Sequence, residues 1–200
     1  LWASNKRACD ATGMNNFYGL QQLALISWLL SGDCIGLIKQ YETTRLLPYS
    51  LRVHLIESDR IATPNNYGAG TTLYYTTGKN SETGNTIYDG VEVDKNGMVV
   101  AYHIRSNYPY ELGAPVTEWA RVLAYQQSTG LPNVLHVIDT ERPDQYRGVS
   151  YLAQVIEPLL QLRRYTESEL MAAVVESFYT AFIKTEAPTD EMPFNEVDPV

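Results

Sequence analysis

Glu92 and Asp94 stand two residues apart in DGVEVDKNG, with Lys95 directly after them. Along a strand this spacing puts both carboxylates on one face. A metal-dependent nuclease can use such a pair with a following Lys and a histidine. The plainer use is the solvated side of a hairpin, and the sequence favours it. His54, His103 and His136 each sit singly in apolar, strand-like runs. No HExxH, Cys-His spacing or Asp-rich loop accompanies them, so each reads as an imidazole hydrogen-bonded in a core or at a sheet edge. Ser150 follows Gly148 and Val149 but lacks the G-x-S-x-G elbow. Gly68-Ala69-Gly70 lacks the Lys and third Gly of a phosphate loop. Cys9 and Cys34 have neither CxxC spacing nor neighbouring histidines, which fits two reduced, partly buried thiols in an intracellular product. These residues point to no cofactor, no metal and no catalytic group.

The main basic cluster is Arg142, Arg147, Arg163 and Arg164. Arg142 and Arg147 precede a helical pattern, where the helix dipole has their own sign, so pairing with acids across an interface is expected. Arg163 and Arg164 are adjacent, about 100° apart around a helix, and only one can line a given face. Glu167, Glu169 and Glu176 would form rings of negative charge if that helix were repeated around an axis. Net charge is −8 over 200 residues. That argues against a groove gripping nucleic acid by phosphate neutralisation. It is compatible with a surface past which DNA slides. The excess of Tyr (15) over Phe (4) suits half-buried strands or subunit contacts. No apolar run is long enough to span a bilayer.

The elements that would position these residues fall in three zones. Leu1 to Cys9 is a short helix, and Asn15 or Asn16 caps a second one that ends at Ser31-Gly32-Asp33. That second helix is apolar nearly all round between Leu23 and Leu30, which predicts burial in its own core or, alternatively, against a neighbouring subunit. Strands are expected over Cys34 to Tyr41, Ser50 to Glu57 and Asn133 to Asp139; Trp119 to Tyr125 fits a strand or one helical turn, with the strand favoured. A hairpin turns at Asn96-Gly97, with Met98 to Ile104 returning. Asn65 to Asn85 reads as a long loop or a hairpin with a Leu73-Tyr75 core, and Asn107 to Pro115 as a loop. From Gly148 to Lys184 apolar residues recur at three-to-four spacing: Leu152, Val155, Ile156, Leu159, Leu162, Leu170, Val174, Phe178 and Phe182. Unbroken, this helix would be roughly 55 Å long. Pro158 would kink it, or Thr166-Glu167-Ser168-Glu169 would cap a second helix. The proline-rich, acidic end reads as a tail or linker. The fold class is α+β. The expected organisation is an N-terminal helical segment (1–33), a β-rich region (34–140), a long helical segment (141–186) and an acidic tail (187–200).

The segment RPDQYRGVSYLAQVIEPLLQLRRYTESELMAA resembles the most characteristic stretch of phage portal proteins of the lambda type. The resemblance is carried by Arg142, Pro143, Gln145, Arg147 and Gly148, by Leu152 and Ala153, and by Tyr165, Thr166, Glu169, Leu170, Ala172 and Ala173. It continues upstream in VLHVID, DGVEVDKNGMVVAYHI, LIESDRI and CDATGMNNFYGLQQL, so it covers nearly the whole chain in order. The family pattern has Gly where Asp144 stands and Pro where Ser150 stands.

The resemblance implies a fragment of a structural subunit in a ring, usually of twelve copies, at one capsid vertex. Double-stranded DNA enters through such a ring under the terminase motor and leaves at ejection. Capsid and head-tail joining proteins would be partners, with assembly in the host cytoplasm and no membrane. The long helix would contribute to the channel wall or stem, and the strands to wing and clip surfaces. Arg163, Arg164, Glu167 and Glu176 would be its channel-facing candidates. The competing readings are a metal-dependent nuclease or hydrolase using Glu92, Asp94 and a histidine, and a β-rich tail or adhesion module.

Overall fold

Alternating β-branched residues build two antiparallel sheets that share one core. The computed structural model describes residues 1–64, 77–109 and 118–178. Strands β1 (Asp33–Gln40), β2 (Leu51–Glu57) and β8 (Val134–Ile138) form the first sheet, in the order β2-β1-β8. Strands β3 (Thr77–Lys79), β4 (Thr86–Tyr88), β5 (Val91–Val93), β6 (Val99–Arg105) and β7 (Trp119–Leu123) form the second, in sequence order. The core joins Ile35, Leu37, Ile56 and Val134 of the first sheet to Val91, Val93, Tyr102 and Ile104 of the second. In β1 the residues facing this core are odd-numbered, because side chains alternate along a strand. Backbone links between the sheets include a bridge between Ile61 and Ile104, and Asn133, whose amide donates to Ala124 and whose carbonyl accepts from Ile38.

The opposite face of the first sheet receives α1 (Lys6–Cys9) and α2 (Phe17–Ser31). Cys9, Leu20 and Val53 form a small cluster there with Trp2, Phe17 and Leu55. Asn16 is the cap of α2; its side chain accepts from Gly19 N at 2.8 Å. Gly32 stops the helix at φ 90°, a left-handed conformation that costs glycine little. Burial of α2 in its own core is not what forms. Leu20 alone is fully buried along it, while Leu23, Leu25, Ile26 and Leu30 lie open. A lone helix on a three-stranded sheet covers one side only, so the other side of an all-round apolar helix stays uncovered.

The Asn96-Gly97 turn forms as expected. Asp94 Oδ1 accepts from the amides of Asn96 and Met98 at 2.8 and 2.9 Å, and Gly97 takes φ 86°. A second hairpin, between β4 and β5, turns on Asp89-Gly90, both at positive φ (44° and 84°). Asp-Gly is a strong two-residue hairpin signal, and the sequence reading passed over it. The solvated-side reading of Glu92 is overturned. Glu92 is completely buried, and five side chains hold its two oxygens. Arg121 donates at 2.7 and 3.0 Å, Asn85 and Thr83 at 2.9 Å, and Asn80 at 3.2 Å, while His103 Nε2 lies at 3.0 Å. Burial alone would raise this carboxyl's pKa; the bonds from Arg121, Asn85, Thr83 and Asn80 override it and hold the group well below the usual range.

The chain divides into two units, Leu1–Gln154 and Val155–Val200. The second unit contains α3 (Ile156–Phe178), which follows a 3-10 turn at Tyr151–Val155. The regular helix therefore starts eight residues later than Gly148. Pro158 is its third residue, where the amide has no intrahelical partner, so proline is tolerated there. Thr166 caps nothing: it lies inside one continuous helix, and its hydroxyl donates to Arg163 O at 2.8 Å. Residues 65–76, 110–117 and 179–200 lie outside the described residues, and with them the first part of the Asn65 to Asn85 stretch, most of Asn107 to Pro115, the expected end of the long helix at Lys184 and the acidic tail. Among the described residues no helix is long and apolar enough to cross a membrane.

Removing the Glu92 carboxylate strands Arg121 and His103 around a buried hole. Glu92→Ala is expected to cost about 3–5 kcal/mol in urea unfolding, because breaking a buried pair from one side leaves its partners unmatched. A loss below about 1 kcal/mol, the value of a surface pair, would show that the cage contributes little.

Candidate functional site

The Arg-Pro-x-Gln-x-Arg-Gly turn returns to the start of β1 and locks four segments together. Gln145 braces the turn from within: its Oε1 accepts from Glu141 N and its Nε2 donates to Arg147 O, both at 3.0 Å. Tyr146 stacks on Tyr88, with centroids 5.3 Å apart, and donates to Gly97 O at 3.2 Å. These contacts aim Arg147 inward. Its Nε donates to Asp33 Oδ2 at 2.7 Å. Nη1 reaches Ile61 O at 2.9 Å and, in the Asp89-Gly90 turn, Asp89 O at 2.7 Å and Asp89 Oδ2 at 3.0 Å. Nη2 reaches Ser58 Oγ at 2.7 Å and Ser58 O at 3.1 Å. Arg147 thus finds its acids within the chain, where the sequence led to an expectation of acids across an interface.

Asp33 is the other half of the clamp. It is fully buried, and also accepts from Gly148 N at 3.0 Å and from the Ser58 hydroxyl. His136 Nε2 lies 3.4 Å from Oδ2, and Tyr102 OH lies 3.3 Å from His136 Nδ1. Burial would raise the Asp33 pKa; hydrogen bonds from His136, Arg147 and Ser58 and the Arg147 charge outweigh it, holding the group well below the usual carboxylate range. Asp89 goes the other way. Burial and the negative charges of Asp33 and Asp59 raise it, and Arg147 offsets this only in part.

The backbone approach is as tight as the side-chain geometry. A Cβ on Gly148 would overlap the Gly32 carbonyl, and one on Gly32 would overlap the Gly148-Val149 backbone. Both positions need glycine so that the end of α2 and the turn can touch. Ser150 Oγ then donates to Leu29 O at 3.1 Å, and Tyr151 packs on Trp28 with centroids 5.5 Å apart. Asp144 takes φ 58°, a left-handed conformation that glycine adopts at least cost and that Asp tolerates better than most other residues. That is the physical reason a glycine suits this position.

The remaining candidates are not brought into this clamp. Arg142 and Pro143 are exposed at the outer edge of the turn. Leu152 is exposed in the 3-10 turn, and Tyr165, Thr166, Glu169 and Glu176 are exposed on α3. Arg163 pairs with Glu167 at 2.9 Å along the same helix, an i,i+4 pair, so these two compensate one another. Arg164 has no ion-pair partner among the described residues. The pairing of Glu92 with Asp94 as a metal site does not survive the geometry. Glu92 faces the cage and Asp94 caps the hairpin turn, and among the described residues no group of three His, Cys, Asp or Glu is placed to hold an ion. Cys9 and Cys34 are free, buried thiols, and burial pushes Cys34 up to about 11. The sequence reading missed Asp33, Ser58 and Asp89. The available signal was a charged Asp33 opening the apolar run CIGLI, since a buried acid needs a cation from elsewhere.

A family model described as phage portal protein, lambda family, matches residues 1–198. The portal protein of Escherichia phage N15 is 24% identical over 157 residues, which cover 78% of this chain and 26% of that protein. The chain therefore spans about a quarter of the length of that curated relative.

Two outcomes test the clamp. A depressed carboxyl contributes stability that is present above its unfolded pKa, about 4, and lost as pH falls toward the folded value. Urea midpoints measured from neutral pH down to about pH 3 should therefore fall more steeply for the wild type than for Asp33→Asn. Equal slopes would remove Asp33 as a source of acid sensitivity. Asp144→Gly should raise stability by about 1 kcal/mol by relieving the left-handed residue; a loss would show that the aspartate side chain matters more than its strain.

Proposed function

Because this chain belongs to the lambda family of phage portal proteins, we propose that it forms part of a structural subunit of the portal ring through which double-stranded DNA is packaged and ejected. The observation that carries this reading is surface the chain leaves uncovered. Every described residue of α3 is exposed, including Ile156, Leu159, Leu160, Leu162, Leu170, Met171, Val174 and Phe178. The open side of α2 adds Leu23, Ile26 and Leu30. A single helix gains most of its stability from packing its apolar face. Each such side chain contributes about 1.5–3 kcal/mol when buried. Repetition around a closed ring buries both surfaces many times over, while the clamp gives each copy a fixed shape to repeat.

The mechanism is geometric and electrostatic. The sheets supply wing- or clip-like surface, and α3 supplies wall or stem. Arg164, Glu169 and Glu176 become charged rings if α3 borders the passage, with Arg163 and Glu167 neutralising one another. A net-negative surface lets DNA move with weak contacts, and isolated arginines touch phosphate transiently. The full-length parent would be a dodecamer at the portal vertex of the virion, assembled in the host cytoplasm. Its partners would be the terminase motor and the capsid and head-tail joining proteins, with no membrane.

Electron microscopy of the full-length parent tests this directly. The expected image is a ring with a central opening of roughly 20 Å or more, set by the width of B-DNA. Discrete particles without an opening would overturn the reading. The 200-residue chain alone should not sediment as a homogeneous dodecamer, because the rest of each interface is missing.

A further inference from the structure

Where β1 and β2 face β6 and β7, the two sheets leave a cleft of about 250 Å³ whose apolar lining is joined by three cations and a histidine. Lys39 and His54 come from the first sheet, Arg60 from the turn after β2, and Arg105 from the end of β6. In the ladder Leu37 stands opposite His54 and Lys39 opposite Arg52, so these side chains share the face that carries Ile35 and Ile56. The core thus grades into a basic wall along one sheet face. Glu118, exposed, is the one acid of the lining among the described residues.

Three buried nitrogens along this wall, Arg52 Nε, His54 Nδ1 and Arg105 Nε, have no hydrogen-bond partner among the described residues. Nor does an ion pair engage Lys39, Arg52, Arg60 or Arg105 there. Elsewhere in the molecule buried charge is matched closely, as Asp33 and Glu92 show. The wall is nonetheless held in place. Arg60 donates through Nε and Nη2 to Arg105 O at 3.1 and 2.9 Å, and through Nη2 to Ser106 O at 3.2 Å. The Arg105 guanidinium lies 5.7 Å from the Trp119 ring centroid and that of Arg52 lies 4.3 Å from Tyr41. Half-buried cations that are fixed, close together and, among the described residues, faced by a single exposed acid are costly unless an anion joins them.

We propose that this cleft binds a phosphate oxyanion, with Lys39, Arg60 and Arg105 supplying charge and His54 a ring N–H. Phosphate fits better than carboxylate for two reasons. A single carboxylate would leave most of the positive charge unmatched, and several oxygens are needed to reach donors arriving from both sheets. Burial, with the charges of Lys39 and Arg60, keeps His54 below its ordinary pKa; an anion would oppose the effect of those charges. The phosphate can belong to a nucleic-acid backbone or be free in solution. The proposal stands on the cleft itself and does not require the ring.

Titration of the 200-residue chain with inorganic phosphate, followed through the side-chain NMR signals of His54 and Arg105, tests it. Saturable shifts in both are expected, and Lys39→Gln or Arg105→Gln should weaken binding about tenfold, the effect of losing one charged hydrogen bond. A parallel titration with a short DNA duplex separates the sources. Competition between duplex and phosphate assigns the cleft to backbone phosphate; binding of phosphate alone assigns it to a free anion. Three results would overturn the proposal. The wild type shows no saturable shift, chloride at equal ionic strength reproduces it, or acetate or a glutamate-rich peptide binds as tightly. Reading the wild-type signals keeps the test decisive even if a variant fails to fold.

Discussion

The contact between Arg147 and Asp33 is the constraint from which the rest of this architecture follows. It spans more than a hundred positions of sequence and joins the turn before the second unit to the first residue of the central strand. One guanidinium ties down the β2 exit through Ser58, the Ile61 carbonyl and the Asp89-Gly90 hairpin together. The planar fork of arginine makes this possible; a lysine could not serve so many acceptors in fixed directions. The glycines at 32 and 148 let the two backbones come close enough for the fork to reach. Loss of either half would leave a buried charge unmatched.

Glu92 repeats the same solution in the second sheet. Both carboxylates are fully buried, both draw an arginine and a histidine, and both are held ionised against the effect of burial. Each does local work besides. Asp33 fixes where α2 ends and the turn returns, while Glu92 fixes the Asn80–Asn85 turn against the sheet. Polar networks of this kind specify one arrangement of strands where apolar packing alone would tolerate several. Against that background, the unmatched nitrogens around Lys39 and His54 stand out as a different kind of chemistry.

Close polar pairing in the interior of the first unit contrasts with apolar surface left exposed. The helices α2 and α3 carry apolar side chains that lie exposed among the described residues, and the proposed ring is what would cover them. The chain covers about a quarter of a curated relative.

Much of this was legible in the sequence because it is local. Asn16 and Gly32 mark the ends of α2, Asn96-Gly97 marks a hairpin, and alternation marks the strands; each signal acts through its own backbone neighbours. The α+β class and the family resemblance followed from such stretches in order. The start of α3 was misplaced because three-to-four apolar spacing continues through Leu152 and Val155, and periodicity does not distinguish a 3-10 turn from an α-helix. Glu92 was misjudged because strand alternation assigns a side chain to a face but not that face to water. Only the tertiary structure decided that Arg147 meets Asp33, that Glu92 meets Arg121, and that three cations and a histidine gather between two sheets. Those outcomes depend on which distant segments the shared core brings together, and electrostatic pairing across such distances leaves no spacing in the chain to read.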